Sequence, residues 1–183
     1  MILSAIVIAI ALSIRMLLVA RGCALQCEIR LTKGLAVSAV LALVHAALFY
    51  VAMQLGDILK FDDSLFGNVN ELVCIGVILI VSVRWIFQVW RKDRALPAYD
   101  INRWGTVAAL ALATGLNVFM VGLGFGFVSG SPRLYLSLPL LVTTLLASYF
   151  GIMFGRRKVE MNIRRWQFLA IVMLLGVAIS NLF

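Results

Sequence analysis

Six runs of apolar residues, each about 20 long, dominate this chain and leave its backbone few ways to fold. They fall at about 2–20, 34–55, 71–90, 105–128, 134–155 and 166–183. Coiled at 1.5 Å per residue, a run of that length matches the hydrocarbon thickness of a bilayer. Inside lipid an N–H or C=O has no water to bond, so it must be satisfied within its own segment or in a closed barrel. No ten-residue alternation of apolar and polar side chains appears, which argues against the barrel. The expectation is an all-α membrane protein with six transmembrane helices, and a hydrophobic fraction of 63% with a mean hydropathy of +1.07 agrees with it. So little chain separates the runs that 1–183 reads as a single integral membrane domain. The first run is expected to be a span rather than a signal peptide, since no basic region precedes it and Arg15 interrupts it.

Lys and Arg alternate from loop to loop. The first loop holds Arg21, Arg30 and Lys33, the third Arg91, Lys92, Arg94 and Arg103, and the fifth Arg156, Arg157, Lys158, Arg164 and Arg165. The second and fourth hold only Lys60 and Arg133, an asymmetry of twelve against two. By the positive-inside rule the odd loops are cytoplasmic and both termini lie on the other side. The net charge of +8 then belongs to short loops beside an anionic leaflet, and no nucleic-acid partner is expected. Cys23 and Cys27 of the first loop and Cys74 of the third span match no zinc or redox spacing.

The two halves of the chain resemble each other weakly. ALSIRMLLVA from Ala11 can be laid on ATGLNVFMVG from Ala113, which sets Arg15 opposite Asn117, and ILIVSV at Ile78 can be laid on MLLGVA at Met173. With three spans each, the halves enter the membrane from opposite sides. This predicts a 3+3 inverted repeat, of about 1–92 and 103–183, with a site near the midplane and one repeat rocking against the other. Gly122 with Gly126, and Gly151 with Gly155, have the GxxxG spacing and predict close packing of the fourth and fifth helices.

Polar groups within spans are costly and mark candidate sites. They are Arg15, His45 and Arg84, joined by Gln88, Asn117 and Thr114, with Thr143, Thr144 and Ser148 near them. No Asp or Glu lies in the body of a span, so the oxygen set a hard divalent cation prefers is missing. Arg15 and Arg84 either snorkel toward the cytoplasmic edge or form a shared cationic centre. His45 is a hydrogen-bonding core residue or a proton carrier. Asn117 either joins helices or faces a solute.

Four stretches together carry a family resemblance: ATGLNVFMVGLGFGF in the fourth span, VRWIFQVWR ending the third, GIMFGRR ending the fifth and LLGVAI near the end. In length, span number and these motifs the chain resembles the manganese efflux pump (MntP-type) family of LysE-like transporters. The resemblance implies export of Mn(II) through a bacterial inner (plasma) membrane, with an Asp in the first span and another in the fourth. Those positions are Arg15 and Asn117 here, and Gln88 stands four residues after Arg84 where the family has Glu. In the second span the matching positions read Leu41 and His45. A cationic Arg15 opposes a metal there, because two unit charges 4 Å apart at an effective dielectric of about 20 repel by about 4 kcal/mol.

The expected function is therefore a transporter with an altered central site, exporting Mn(II) or another small solute by alternating access. Its path residues would be Asn117, Arg15, Thr114, His45, Arg84 and Gln88, with Asn117 the one candidate metal ligand. No cofactor is expected, Mn(II) being cargo. One alternative is a carrier of an anionic or zwitterionic solute that uses Arg15 and Arg84. Another is a non-transporting scaffold or partner subunit, and a homo-oligomer is left open. An enzyme is not expected, since neither a nucleophile and base nor paired carboxylates occur in the spans.

Overall fold

The computed structural model describes residues 2–27, 29–61, 69–90, 99–128 and 133–180. Arg91, Lys92 and Arg94 of the third loop, the side chain of Arg133 and the last three residues of the sixth run lie outside the described residues. Six helices are described: α1 (Ile2–Gln26), α2 (Leu31–Ile58), α3 (Val69–Trp90), α4 (Trp104–Val128), α5 (Arg133–Arg156) and α6 (Ile163–Ser180). By length and composition five of them, α1 to α5, can cross a membrane.

Every helix begins or ends outside its apolar run, α1 running furthest past the end of its own. Arg21 and Cys23, expected in the first loop, belong to α1 and are buried. The Arg21 Nη2 donates to the carbonyl of Val159 at 2.7 Å, which gives the guanidinium an acceptor where the run has ended. Helix α2 likewise starts at Leu31, with Arg30 as its N-cap. An apolar run marks where lipid contact stops, whereas a helix continues as long as its carbonyls and polar side chains find partners.

The helices pair across the halves of the chain. Helix α1 packs most extensively on α5, and α2 on α4; α6 lies on α1, and α3 on α4. Between the groups α1–α5–α6 and α4–α2–α3, contact runs along α2 with α5 and α3 with α6, while α1 and α4 barely touch. The close pairs are made by small residues. A Cβ on Gly126 would lie 2.5 Å from the carbonyl oxygen of Met53 and 2.7 Å from the Cα of Gly56, so α4 and α2 meet backbone to backbone. Gly155 stands in the same relation to α1, against Ala24 and the carbonyl of Arg21, and Gly151 lies against Leu17 and Ala20. The expected close packing of the fourth and fifth helices is thus corrected: each is closely packed, but α4 on α2 and α5 on α1, and the two do not meet. A GxxxG spacing reports a smooth helix face and carries no information about which helix will fill it.

Opposite ends of the bundle are tied differently. At one end the first, third and fifth connections converge: Lys33 Nζ donates to the Asn102 carbonyl at 2.8 Å, Cys27 Sγ to Asp100 Oδ1 at 3.4 Å, and Arg21 to Val159. At the other, Asn70 Oδ1 accepts from the Phe61 N–H and its Nδ2 donates to the Phe61 carbonyl, while the Phe61 ring stacks on Phe127 with centroids 6.3 Å apart.

Candidate functional site

The poor contact between α1 and α4 leaves room between the two helix groups, and a cavity of about 370 Å³ fills it. Helices α1 and α6 form one wall and α3 and α4 the other, with Tyr99 from the third connection also in the lining. Gln88 is near the end of α3, Gln167 near the start of α6, and Arg15 and Thr114 are the deepest polar residues. At 1.5 Å per residue, Arg15 is about 16 Å from the end of α1 and Thr114 about 15 Å from the start of α4. The cavity is therefore a vestibule on the side of the odd loops, reaching to mid-bundle.

Two of the polar groups in it, Arg15 and Thr114, meet a residue of another helix. The Arg15 guanidinium carbon lies 5.1 Å from the Trp85 ring centroid, a cation–π contact that crosses from one helix group to the other. Trp85 is buried because it continues the inward face of α3 set by Cys74, Ile78, Val81 and Ser82 at helical spacing. Its Nε1 has no hydrogen-bond acceptor among the described residues. Thr114 Oγ1 donates to the Leu110 carbonyl at 2.7 Å and lies 2.9 Å from His45 Nε2. With its proton so used, the hydroxyl accepts from Nε2–H, so a neutral His45 carries its proton on that nitrogen. Gly115 makes room for Leu48 beside this pair: a Cβ there would collide with the Leu48 side chain and would stand at an ordinary 3.5 Å from the imidazole Cδ2.

The remaining sequence candidates fall elsewhere. Arg84 is exposed on the outer face of α3 with Ile80 and Phe87, outside the vestibule lining. Asn117 is not in the lining either: three residues beyond Thr114, it is 3% exposed and its Oδ1 has no partner among the described residues. Around that depth Ile8, Ala11, Leu12, Ile75 and Val121 are all buried, so the bundle is packed beyond the floor of the vestibule. The structure thus brings Arg15, Gln88 and Thr114 to one cavity, joins His45 to it through Thr114, and leaves Arg84 and Asn117 apart from it. Trp85 and Gln167 were not singled out from sequence, though Trp85 follows Arg84 directly and Gln167 is an amide within an apolar run. Among the described residues no carboxylate lines the vestibule, and no group of three His, Cys, Asp or Glu side chains could hold a metal.

Comparison with known families gives this geometry a context. The family described as "Putative manganese efflux pump" matches residues 28–182. The chain belongs to the manganese efflux pump family. It is accordingly a multi-pass membrane protein of a transporter family and not of an enzyme class. The matched stretch covers α2 to α6, so Gln88, Thr114 and His45 of the site fall within it, as does Asn117 beyond its floor, and Arg15 on α1 lies before it. No curated protein and no solved structure matches the chain significantly.

Proposed function

We propose that this member of the manganese efflux pump family exports a small solute from the cytoplasm by alternating access, with Mn(II) the solute that family membership favours and the vestibule as its cytoplasmic entrance. The carrying observation is the asymmetry of the bundle about its middle: a 370 Å³ cavity opens toward the odd loops as far as Arg15 and Thr114, while Asn117 beyond them is sealed. An inverted repeat relates Arg15 to Asn117, so an inward-open state exposes the first and buries the second, and an outward-open state would do the reverse.

Two features support the repeat of about 1–92 and 103–183. The helix contacts are unchanged in kind when α1, α2 and α3 are exchanged for α4, α5 and α6. The register that lays Ala11 on Ala113 also lays Ala20 and Ala24 on Gly122 and Gly126. Ala20 and Ala24 pack on Gly151 and Gly155 of α5, as Gly122 and Gly126 pack on Ala52 and Gly56 of α2. The moving bodies we infer differ from the two repeats. Glycine contacts lock α1 to α5 and α4 to α2, so motion of one repeat against the other would break the closest packing in the molecule. Rocking of α1–α5–α6 against α4–α2–α3 keeps that packing and opens or closes the gap in which the vestibule lies.

The odd loops are assigned to the cytoplasm by their basic residues, with the termini opposite, in a bacterial inner membrane. The test is manganese content in an export-deficient bacterial host under manganese stress. Expression should lower it, and Asn117→Asp, which offers a hard cation a carboxylate, should lower it further. Manganese retention equal to that of the empty vector, from protein shown to be in the membrane, would refute manganese export.

A further inference from the structure

We infer that the vestibule binds a small carboxylate with a short apolar body, held by Arg15 at its inner end. The inference takes from the proposed function only that the vestibule receives solute. A guanidinium well inside a bundle is costly unless an anion or a polar shell compensates it. Arg15 is about 16 Å from the end of α1, which is deep for a side chain that would reach the interface, and its contact with Trp85 holds it inside. Among the described residues it makes no hydrogen bond and no ion pair, and no carboxylate shares the cavity. The positive charge is therefore without a countercharge in a space that can admit one.

The chemistry around the charge narrows the ligand. A guanidinium held by a cation–π contact spends none of its N–H groups on an acceptor there, and its fork matches the two oxygens of a carboxylate. Gln88 and Gln167 add neutral amide donors without a competing negative charge. Thr114 is excluded as a donor because its proton goes to Leu110. Apart from Trp85 and Tyr99 the rest of the wall is aliphatic, with Leu18, Val19, Val89, Leu110 and Ile171 among its residues, which suits a chain of a few carbons better than a bare inorganic anion. Arg15 and Gln88 belong to opposite helix groups, so a ligand held by both would draw the two groups together. A bound carboxylate would also cancel the charge that repels a divalent cation entering the same vestibule, so the inference is compatible with manganese as cargo.

Calorimetric titration of the detergent-purified full chain with butyrate, its neutral isostere butyramide and MnCl₂ decides the matter. Saturable butyrate binding with no butyramide binding is expected. Arg15→Gln should weaken butyrate roughly tenfold or more, as loss of a charged hydrogen-bond donor does. Arg15→Lys, which keeps the charge and loses the fork, should fall between, and Lys60→Gln at the opposite end of the bundle should bind as the parent does. Equal affinity for butyrate and butyramide, or butyrate affinity unchanged in Arg15→Gln, overturns the inference. If Arg15→Gln does not fold, the comparison of butyrate with butyramide on the parent chain still decides. Manganese export in cells together with absence of butyrate binding would sink the carboxylate site and leave the transport reading standing; butyrate binding without manganese export would do the opposite.

Discussion

Replacing Gly126 by Ala adds one methyl group at the closest approach of α4 to α2. That methyl would sit 2.5 Å from the Met53 carbonyl oxygen and 2.7 Å from the Gly56 Cα, both backbone atoms, so no rotamer change can relieve it. Ordinary contact begins near 3.4 Å, so the helices must part by close to an ångström. A gap of that size forfeits a quarter to a half of the dispersion energy of the atom pairs it separates, each worth about 0.1–0.2 kcal/mol. Spread over the pairs along one helix crossing, the loss comes to about 1–3 kcal/mol, the usual cost of an overpacked core. At about 2 kcal/mol the Tm should fall by about 4–8 °C for a chain of this size. Gly76 is the control: nothing lies within 4 Å of a Cβ there, so Gly76→Ala should be neutral or stabilising through its better helix propensity. Thermal unfolding of both variants in one detergent, followed by circular dichroism, measures the difference. If Gly126→Ala melts with or above Gly76→Ala, the backbone contact between α4 and α2 is not a determinant of stability and the argument for rigid helix groups is lost.

Three further outcomes follow from the polar groups. Asn117→Leu removes a buried oxygen that has no partner among the described residues, so the variant should be as stable as the parent or more so, by up to about 1–3 kcal/mol, yet should lose export. A loss of stability would make Asn117 a structural residue instead. Thr114→Val removes one acceptor of the His45 ring while the Ala111 carbonyl stays within its reach, and should cost about 0.5–1.5 kcal/mol in a thermal unfolding assay, whereas Thr114→Ser should restore the parent value. Burial and the hydrogen bond to Asp100 both raise the Cys27 pKa, so at pH 8 the thiol carries less thiolate than a free cysteine and alkylates slowly. Asp100→Asn removes the carboxylate that repels the thiolate, and iodoacetamide labelling of Cys27 should accelerate; labelling at an unchanged rate would mean that burial alone sets its reactivity.

The helices were legible because lipid imposes a single rule on the backbone, and six apolar runs are a direct record of it. Their ends were less so, since Arg21 continues α1 by bonding to a carbonyl of the fifth connection, a partner more than a hundred residues away. The glycine spacing correctly marked Gly122, Gly126, Gly151 and Gly155 as close-packing faces, but the partners of α4 and α5 depend on the whole arrangement of the bundle. Within the site, Arg15, Gln88 and Thr114 could be named from cost alone, because a polar side chain in an apolar run needs a reason. Which of them share a cavity could not. Arg84 and Gln88 are one turn apart on α3, yet only Gln88 lines the vestibule, and the cation–π contact of Arg15 with Trp85 depends on how α1 and α3 cross.

Arg84 bears on the bilayer itself. It is exposed on the outer face of α3 between Ile80 and Phe87, about 9 Å along the helix from Trp90 at 1.5 Å per residue. A guanidinium at that depth draws water and lipid phosphates inward and thins the leaflet around it. One turn further along the same helix, Gln88 lines the vestibule. A bilayer fitted to that guanidinium would dip beside the vestibule, so a solute entering there would cross a shallower headgroup layer than elsewhere on the bundle's circumference.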